Sequence, residues 1–444
     1  MNALIVDMTH GGKLIASEFS KLDDFNVFAL DIYNTLSLDE KLSLEKKGIK
    51  FVEKSFLDEA NNDNFLIVAP VHCNIDSKVD MTHHEAVNFL MKDKINIPVI
   101  EVTGVKGKTS TVKMLKEIFK DLNPLILSSL GVEVVENRKS TLLKKDISIT
   151  PASIIEAWHL AEDYKNIGIC IFETSLGGTG LADTGIITNI AENYSIASGG
   201  KTASQAKAQI FKSNVMACDF DSFNQFYSDF YKKTNTFGSA NANVRASNIK
   251  FGLDKTSFNV EVNGLKTIDG DILNTSFDVS TFAPAEHHLN NVLGALCAAL
   301  ILKTSINQIK TGLRNFKGID GRTSIKNYKG SKIIEEINPG INVTAIKKSV
   351  KMIQDLENPV IIFGGRYGVT CEEIDEKATA RFFNSMDSKI QLILVDELGK
   401  SITNMIKRKY KYTDFNNAID EAAQMNSKMI LLIYRSNFSD LARR

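Results

Sequence analysis

Short apolar runs alternate with amphipathic stretches through the first 95 residues. Residues 3–6, 27–30 and 65–69 are apolar runs of strand length, and polar segments of helical periodicity lie between them. This alternation is the βαβ signature and predicts a parallel sheet. A second unit opens near Ile97. Residues 98–102 read as a strand, a Gly-containing turn follows, and 108–120 read as a helix. Further strands are predicted at 167–172 and 185–190. Between 244 and 282 the period shortens to two, as in S-F-N-V-E-V-N at 257–263, which predicts a small antiparallel sheet inserted in the middle domain. Residues 291–302 predict a buried helix. The run F-K-G-I-D-G at 316–321 reads as a hinge. Beyond it strands are predicted at 332–337, 359–363, 391–395 and 429–434, with helices at 343–355 and 373–383. The whole predicts an α/β protein of three domains: a Rossmann-like domain at 1–95, a central domain at 96–318, and a doubly wound, Rossmann-like domain at 319–444.

Composition narrows the function class. A chain of 444 residues matches three domains at ~150 residues each. Lys+Arg and Asp+Glu are equal at 53, so no net field draws the chain to nucleic acid or to a membrane surface. The longest apolar run, 292–302, is well short of the ~20 residues that span a bilayer. Residues 1–12 are apolar but carry Asp7 and His10 without a basic leader, which predicts a strand and not a signal peptide. Five scattered cysteines (Cys73, Cys170, Cys218, Cys297, Cys371) without a C-x-x-C pair predict reduced thiols and a cytoplasmic setting.

The strongest chemical signal is T-G-V-K-G-K-T-S at 103–110, between a predicted strand and helix. Gly104 and Gly107 let the backbone of Val105 and Lys106 curl so that N–H groups face phosphate oxygens. The helix aims its positive end at them. Lys108 can reach the β- and γ-phosphates, the Thr109 hydroxyl can ligate Mg²⁺, and Ser110 completes the motif. The expected cofactors are ATP and Mg²⁺. Val102 stands where the full G-x-x-x-x-G-K-[ST] pattern has its first glycine.

The shortened loop, T-G-x-x-G-K-[ST]-[ST], resembles that of the Mur ligases and folylpolyglutamate synthetases. The resemblance implies a three-domain ligase that activates a carboxylate as an acyl phosphate. It assigns Glu173, in F-E-T-S at 172–175, to Mg²⁺, and matches Thr188-Asn189 to the pair ending the next strand. A-K-A-Q-I-F at 206–211 resembles the segment whose lysine is carbamylated in many Mur ligases, so Lys207 would hold a second Mg²⁺. In N-N-V-L-G-A-L-C-A at 290–298, Asn291 falls on the family's adenine-contacting asparagine. Arg322 matches the hinge arginine that reaches ATP, Asn338-Pro339 an N-P pair, and Glu335 and Glu336 acidic residues near the ribose. Lys108, Glu173, Lys207 and Arg322 are thus the expected catalytic residues. One departure stands out: A-E-N-Y at 191–194 replaces the family's Asp-His, which leaves Glu192 as the alternative ligand for a second metal.

Substrate choice falls to the first domain. D-M-T-H-G-G at 7–12, D-I-Y-N-T at 31–35 and P-V-H-C at 70–73 each follow a predicted strand, where open α/β sheets bind ligands. Thr9, His10, Tyr33 and His72 are the candidate substrate residues. His10, His72, His83 and His84 place four of the seven histidines in this domain, and no G-x-G-x-x-G dinucleotide fingerprint is present. D-M-T-H-G-G, P-V-H-C and G-G-R-Y-G-V-T-C-E-E-I-D at 364–375 resemble the archaeal coenzyme F-430 synthetase branch of the Mur-ligase family. That resemblance implies a nickel tetrapyrrole acid as substrate, whose propionate side chain is activated by ATP and closed into a carbocyclic ring. Two alternatives stay open: an amide ligase adding an amino acid to a cell-wall precursor or folate-like cofactor, and a non-catalytic ATP-binding regulator. The joint presence of Lys108, Thr109, Glu173 and Lys207 argues against the regulator.

Overall fold

The computed structural model describes residues 1–61, 65–73, 75, 77–196, 199–320, 322–338, 340–367, 374–425 and 427–436, with Arg322 and Thr323 as backbone only. The chain forms two compact units. One comprises Met1–Ile249, Phe258–Ser280 and His287–Asn315, and the other Lys250–Ser257, Thr281–Glu286 and Phe316–Arg444.

The first unit holds two main sheets. Strands β1 (Asn2–Val6), β2 (Asn26–Leu30), β3 (Lys50–Phe51), β4 (Phe65–Ala69) and β5 (Met81–Thr82) form a parallel sheet in the order β3-β2-β1-β4-β5. Successive side chains of β1 enter different cores: Ala3 and Ile5 one, Leu4 and Val6 the other. Burial on both faces explains why β1 is an unbroken apolar run from Ala3 onward. Thr82 starts the helix His83–Met91 with a capping box to Glu85, and so fixes where His83 and His84 project.

The larger sheet takes β6 (Val99–Thr103), β7 (Pro124–Ser128), β8 (Gly131–Glu136), β9 (Lys139–Lys144), β10 (Ile169–Glu173) and β11 (Thr184–Ile187). After a separate two-stranded ribbon of β12 (Ser195–Ile196) and β13 (Lys201–Thr202), it adds β14 (Val215–Asp219), β15 (Thr234–Gly238), β16 (Val244–Lys250), β17 (Thr256–Lys266) and β18 (Ile272–Thr281). The eleven-stranded order is β18-β17-β16-β15-β14-β11-β6-β10-β7-β8-β9. The alternating segment predicted as an inserted antiparallel sheet therefore extends the central sheet through β15, instead of standing apart. The β8–β9 hairpin has no counterpart in the predicted elements. Its turn carries positive φ at both Asn137 (51°) and Arg138 (64°), the hairpin-turn geometry that matches strand twist. Register sets the site: β6 lies between β10 and β11, with Val102 opposite Glu173 and Thr103 opposite Ile187. The phosphate loop, Glu173 and Thr188 thus leave the sheet at one edge.

The second unit has β19 (Gly318–Ile319), β20 (Arg322–Tyr328), β21 (Ser331–Ile337), β22 (Val360–Gly365), β23 (Gln391–Val395), β24 (Lys411–Thr413) and β25 (Met429–Arg435), in the order β19-β20-β21-β25-β22-β23-β24. All pairs from β21 to β24 are parallel, and β20 folds back on β21 as a hairpin. Two separate cores lie on its faces, as a doubly wound sheet requires. The helix predicted at 373–383 runs Glu376–Ser385. Half of the 364–375 motif, residues 368–373 with Cys371 among them, lies outside the described residues. No described helix is long and apolar enough to cross a membrane.

Candidate active site

The phosphate loop is held by its glycines and by the neighbouring strand end. Gly104 has φ +141°, and a Cβ there would lie 2.0 Å from Thr188 Oγ1. Gly107 has φ +87°, and its Cβ would lie 2.1 Å from Asn291 Oδ1. Both positions exclude a side chain on backbone and contact grounds. Val105 N–H donates to Asn189 O at 2.9 Å. Thr188 Oγ1 and Asn189 Nδ2 donate to Lys106 O at 2.6 and 2.9 Å. The Thr188-Asn189 pair is therefore the clamp of the loop. The helix Lys108–Ile118 starts at Gly107 without a side-chain cap, so its first N–H groups face outward as an anion site.

A hydroxyl and a carboxylate converge beside the loop. Thr109 Oγ1 donates to Glu173 Oε1 at 3.1 Å and lies 3.0 Å from Ser129 Oγ, while Ser129 N–H donates to Glu173 Oε2 at 3.1 Å. Both Thr109 and Glu173 are buried. Thr103 Oγ1 and Thr174 Oγ1, at the ends of β6 and β10, are buried without a hydrogen-bond partner among the described residues. An uncapped helix end, two obligatory glycines, an oxygen pair and orphaned hydroxyls fit a nucleotide phosphate with a hard cation. Asn291 abuts Gly107, and Lys108 Nζ donates to Gly104 O at 3.2 Å. Val105 packs on a core containing Ile187 and Phe211.

Lys207 ends the helix Ala203–Lys207 and is 2% exposed. Burial, and then the positive charge of Lys108, push its pKa down to about 7. The departure at 191–194 supports this helix: Asn193 Oδ1 accepts from Ser204 N at 2.8 Å, and Tyr194 O accepts from Ala203 N at 2.8 Å. Glu192, the alternative ligand, pairs with Lys106 at 3.4 Å. In the second unit, Arg322 opens β20, and its side chain is outside the described set. Glu335 accepts from Ser324 Oγ at 3.1 Å and pairs with Lys326 at 2.9 Å. Asn338 Oδ1 accepts from Gly340 N at 2.9 Å, and Pro339 is not among the described residues.

The four substrate candidates gather at the ends of β1, β2 and β4. His10 Nδ1 lies 2.6 Å from Asp7 Oδ2, and the rings of His10 and His72 meet edge to face at 4.4 Å. Tyr33 presents its ring to His10 at 6.2 Å, and Thr9 Oγ1 lies 2.7 Å from Thr35 Oγ1. Burial works to raise the Asp7 pKa, yet hydrogen bonds from His72, His10 and the Thr9 amide outweigh it and hold the carboxyl well below its usual range. Gly12 lets the chain double back, since a Cβ there would lie 2.1 Å from Asp7 O.

A cleft of about 220 Å³ opens here, lined by His10, His72, His83, His84, Thr150 and Ser175 among others. Ser175 follows Glu173 by two residues, so the cleft reaches the phosphate-loop side of the unit. His83 Nε2 donates to Val6 O at 2.9 Å and His84 Nε2 to Ser175 O at 3.1 Å. Burial pushes both pKa values down to about 4, so both are neutral at pH 7. Gln209 ties the cleft to the Lys207 helix: its Nε2 donates to Leu176 O at 3.2 Å and Ala206 O at 3.3 Å, and its Oε1 accepts from Thr82 Oγ1 at 2.8 Å. Asp7, Ser129, His84 and Gln209 were not among the predicted site residues. Asp7 had a signal, as the acid preceding Thr9 and His10 in one loop, and His84 one as part of the first domain's cluster of histidines.

Comparison with known proteins agrees with this geometry. The profile described as Mur ligase middle domain matches residues 102–299, and that described as coenzyme F430 synthetase CfbE, C-terminal domain, matches 325–437. The chain is 30% identical over 422 residues to the coenzyme F(430) synthetase of Methanocaldococcus jannaschii, covering 92% of this chain and 93% of that one. It is 27% identical over 445 residues to the protein of the same name from Methanosarcina acetivorans, covering 90% of each. Among solved structures, MurF from Acinetobacter baumannii superposes with TM-score 0.61 at 16% identity, over 99% of this chain and 92% of that one. MurF ligase from Thermotoga maritima in complex with ADP gives 0.57 at 16% identity, over 88% and 89%. The solved structures establish the fold, and the long alignment at 30% identity establishes the lineage: the chain belongs to the coenzyme F430 synthetase branch of the Mur ligases and is an ATP-dependent ligase.

Proposed function

We propose that this enzyme activates a propionate side chain of a nickel tetrapyrrole as an acyl phosphate and then closes a carbocyclic ring within the same molecule, releasing ADP and phosphate. The observation that carries this reading is the similarity to two coenzyme F(430) synthetases over 90–92% of the chain, a share too large to leave out the 95-residue first domain. Residues 1–95 would select the acid, 96–318 would bind ATP, and 319–444 would supply Arg322, whose part rests on the family resemblance alone.

The chemistry follows from the residues present. The backbone of 104–110 would cradle the phosphates, and Lys108 would offset the charge that develops as the γ-phosphoryl group moves. Thr109 and Glu173 would hold Mg²⁺, which supplies positive charge at the phosphates when bound. A carboxylate oxygen of the substrate attacks the γ-phosphorus and ADP departs. A carbon of the same substrate then attacks the acyl carbon, phosphate departs, and that carbon sheds one proton. No amine site is needed. The cleft of about 220 Å³ is below the ~300–1,000 Å³ that encloses a drug-sized ligand, so it would receive one edge or arm of the macrocycle and not the whole ring. Neutral His84 and the Gln209 bridge would hold that arm's entrance in line with Ser175.

Hydroxylamine provides the test, because it intercepts acyl phosphates. With ATP, Mg²⁺ and the open-ring nickel precursor, a single ATP-dependent hydroxamate on one side chain is expected. ADP release without any hydroxamate would remove the acyl-phosphate step.

A further inference from the structure

We propose that Asp7, His10 and His72 hold one divalent transition-metal ion, at a site separate from any Mg²⁺ at Glu173. Three donor atoms converge on one point. Asp7 Oδ2, His10 Nδ1 and His72 Nε2 are separated pairwise by 2.6, 3.2 and 3.5 Å. Donors about 2.1 Å from a common ion lie ~3.0 Å apart at right angles and ~3.4 Å apart in a tetrahedron; the 3.2 Å separation falls between these and the 3.5 Å one just above the tetrahedral value. The third shortens to a hydrogen bond when a proton takes the place of the ion.

The contacts favour an ion over protons. Both imidazole nitrogens face the same carboxylate oxygen and lie 3.2 Å from each other. Without an ion, two N–H groups share that one oxygen from 2.6 and 3.5 Å, a crowded arrangement. A single cation satisfies all three atoms. The remaining carboxylate oxygen, Oδ1, accepts from Thr9 N–H at 2.9 Å, the kind of outer-shell bond that orients a metal-binding carboxylate. Asp7 itself is fully buried and held at φ +69°, while Gly11 turns the loop back at φ +98° to carry His10 over it.

A second observation points to a ligand in the same place. His83 lines the same cleft, and its Nδ1 is buried with no hydrogen-bond partner among the described residues. Its Nε2 donates to Val6 O, which leaves Nδ1 as the ring's polar atom for a ligand in the cleft. Two imidazoles and one carboxylate suit nickel, cobalt or zinc, whereas Mg²⁺ and Ca²⁺ prefer oxygen alone. Three protein ligands leave positions open. His10 and His72 both border the cleft, so an open position can take a carboxylate oxygen of an acid substrate. The site rests on these atoms alone, whichever acid the enzyme activates.

The test uses untagged, chelator-stripped, full-length protein and cobalt(II) alone. One equivalent per chain should bind with visible ligand-field absorption, zinc should displace it, and excess Mg²⁺ should not. His10→Ala, whose side chain is 45% exposed and so dispensable for folding, and His72→Ala should each weaken binding by at least ~100-fold, the upper end of what losing even an outer-shell partner does. Asp7→Asn should do the same while keeping the loop's shape. Glu173→Gln should leave cobalt uptake unchanged. No uptake by the stripped wild type, or uptake insensitive to both histidine variants, overturns the proposal and leaves the ligase reading untouched.

Discussion

Lys207 offers a quantitative test of how the site is poised. Its pKa is pushed down to about 7 from 10.5, first by burial and then by Lys108. At pH 7 about half of the Lys207 amines are then neutral, against ~0.03% for a lysine titrating at 10.5. Only the neutral amine attacks carbon dioxide, so the structure raises the reactive fraction by about a thousandfold. The same shift is a strain on folding. The folded pKa lies below the unfolded one, so the penalty is absent above pH 10.5, grows as pH falls, and is complete at pH 7 and below, where it is on the order of 5 kcal/mol. A carbamate would replace that disfavoured cation with an anion near Lys108. In ¹³C-bicarbonate at pH 7 to 8, one carbamate carbon signal is expected, fading as the pH drops below 7. Lys207→Met should abolish it and should stabilise the fold most at low pH. Lys108→Met should weaken it, since the second cause of the shift is gone. Lys113, pushed down to about 8 by burial, is the nearest competitor, but its ammonium pairs with Glu133. A signal surviving in Lys207→Met, or a stability gain independent of pH, would refute the reasoning.

Other perturbations probe the rest of the site. Gly107→Ala forces a Cβ to within 2.1 Å of Asn291 Oδ1 at φ +87°, so nucleotide binding measured by calorimetry should fall at least tenfold, while Gly270→Ala, strained by the same φ of +87° but with nothing within 4 Å, should leave nucleotide binding unchanged. Thr188→Val removes one of the two side-chain donors to Lys106 O, a loss of about 0.5–1.5 kcal/mol that should appear as a raised KM for ATP. Glu173→Gln should keep the fold, as its hydrogen bonds to Thr109 and Ser129 can be remade by an amide, yet lower ADP release by at least about a hundredfold through loss of charge at the cation.

The parts of this site that sequence disclosed are those where residue identity encodes a backbone demand. Gly104 and Gly107 are needed for positive φ, and strand-loop-helix context makes Lys108 and Thr109 legible with them. Runs such as 65–69 and 391–395 match their strands because burial on both faces keeps them apolar, with Gln391 at a strand start the one polar residue in the two. What sequence could not disclose depends on distant pairing. His83 and His84 are neighbours, yet one bonds Val6 O across its own sheet and the other Ser175 O in the next. Gln209 looks like a solvated helix residue until Leu176 and Thr82 are placed around it. The alternation at 244–282 identified strands, but not that β15 would join them to the central sheet. Asp7 lay in plain view, but its contact with His72 depends on β4 bringing that residue beside it.

The central claim is that the acid and its nucleophile belong to one molecule. Incubation with ATP, Mg²⁺ and the open-ring nickel precursor, without any amino acid, followed by product mass, addresses it directly. We expect loss of one water from the substrate, with one ADP and one phosphate per turnover. Turnover that begins only when an amino acid is supplied, with product mass raised accordingly, would contradict it and make the enzyme an amide ligase.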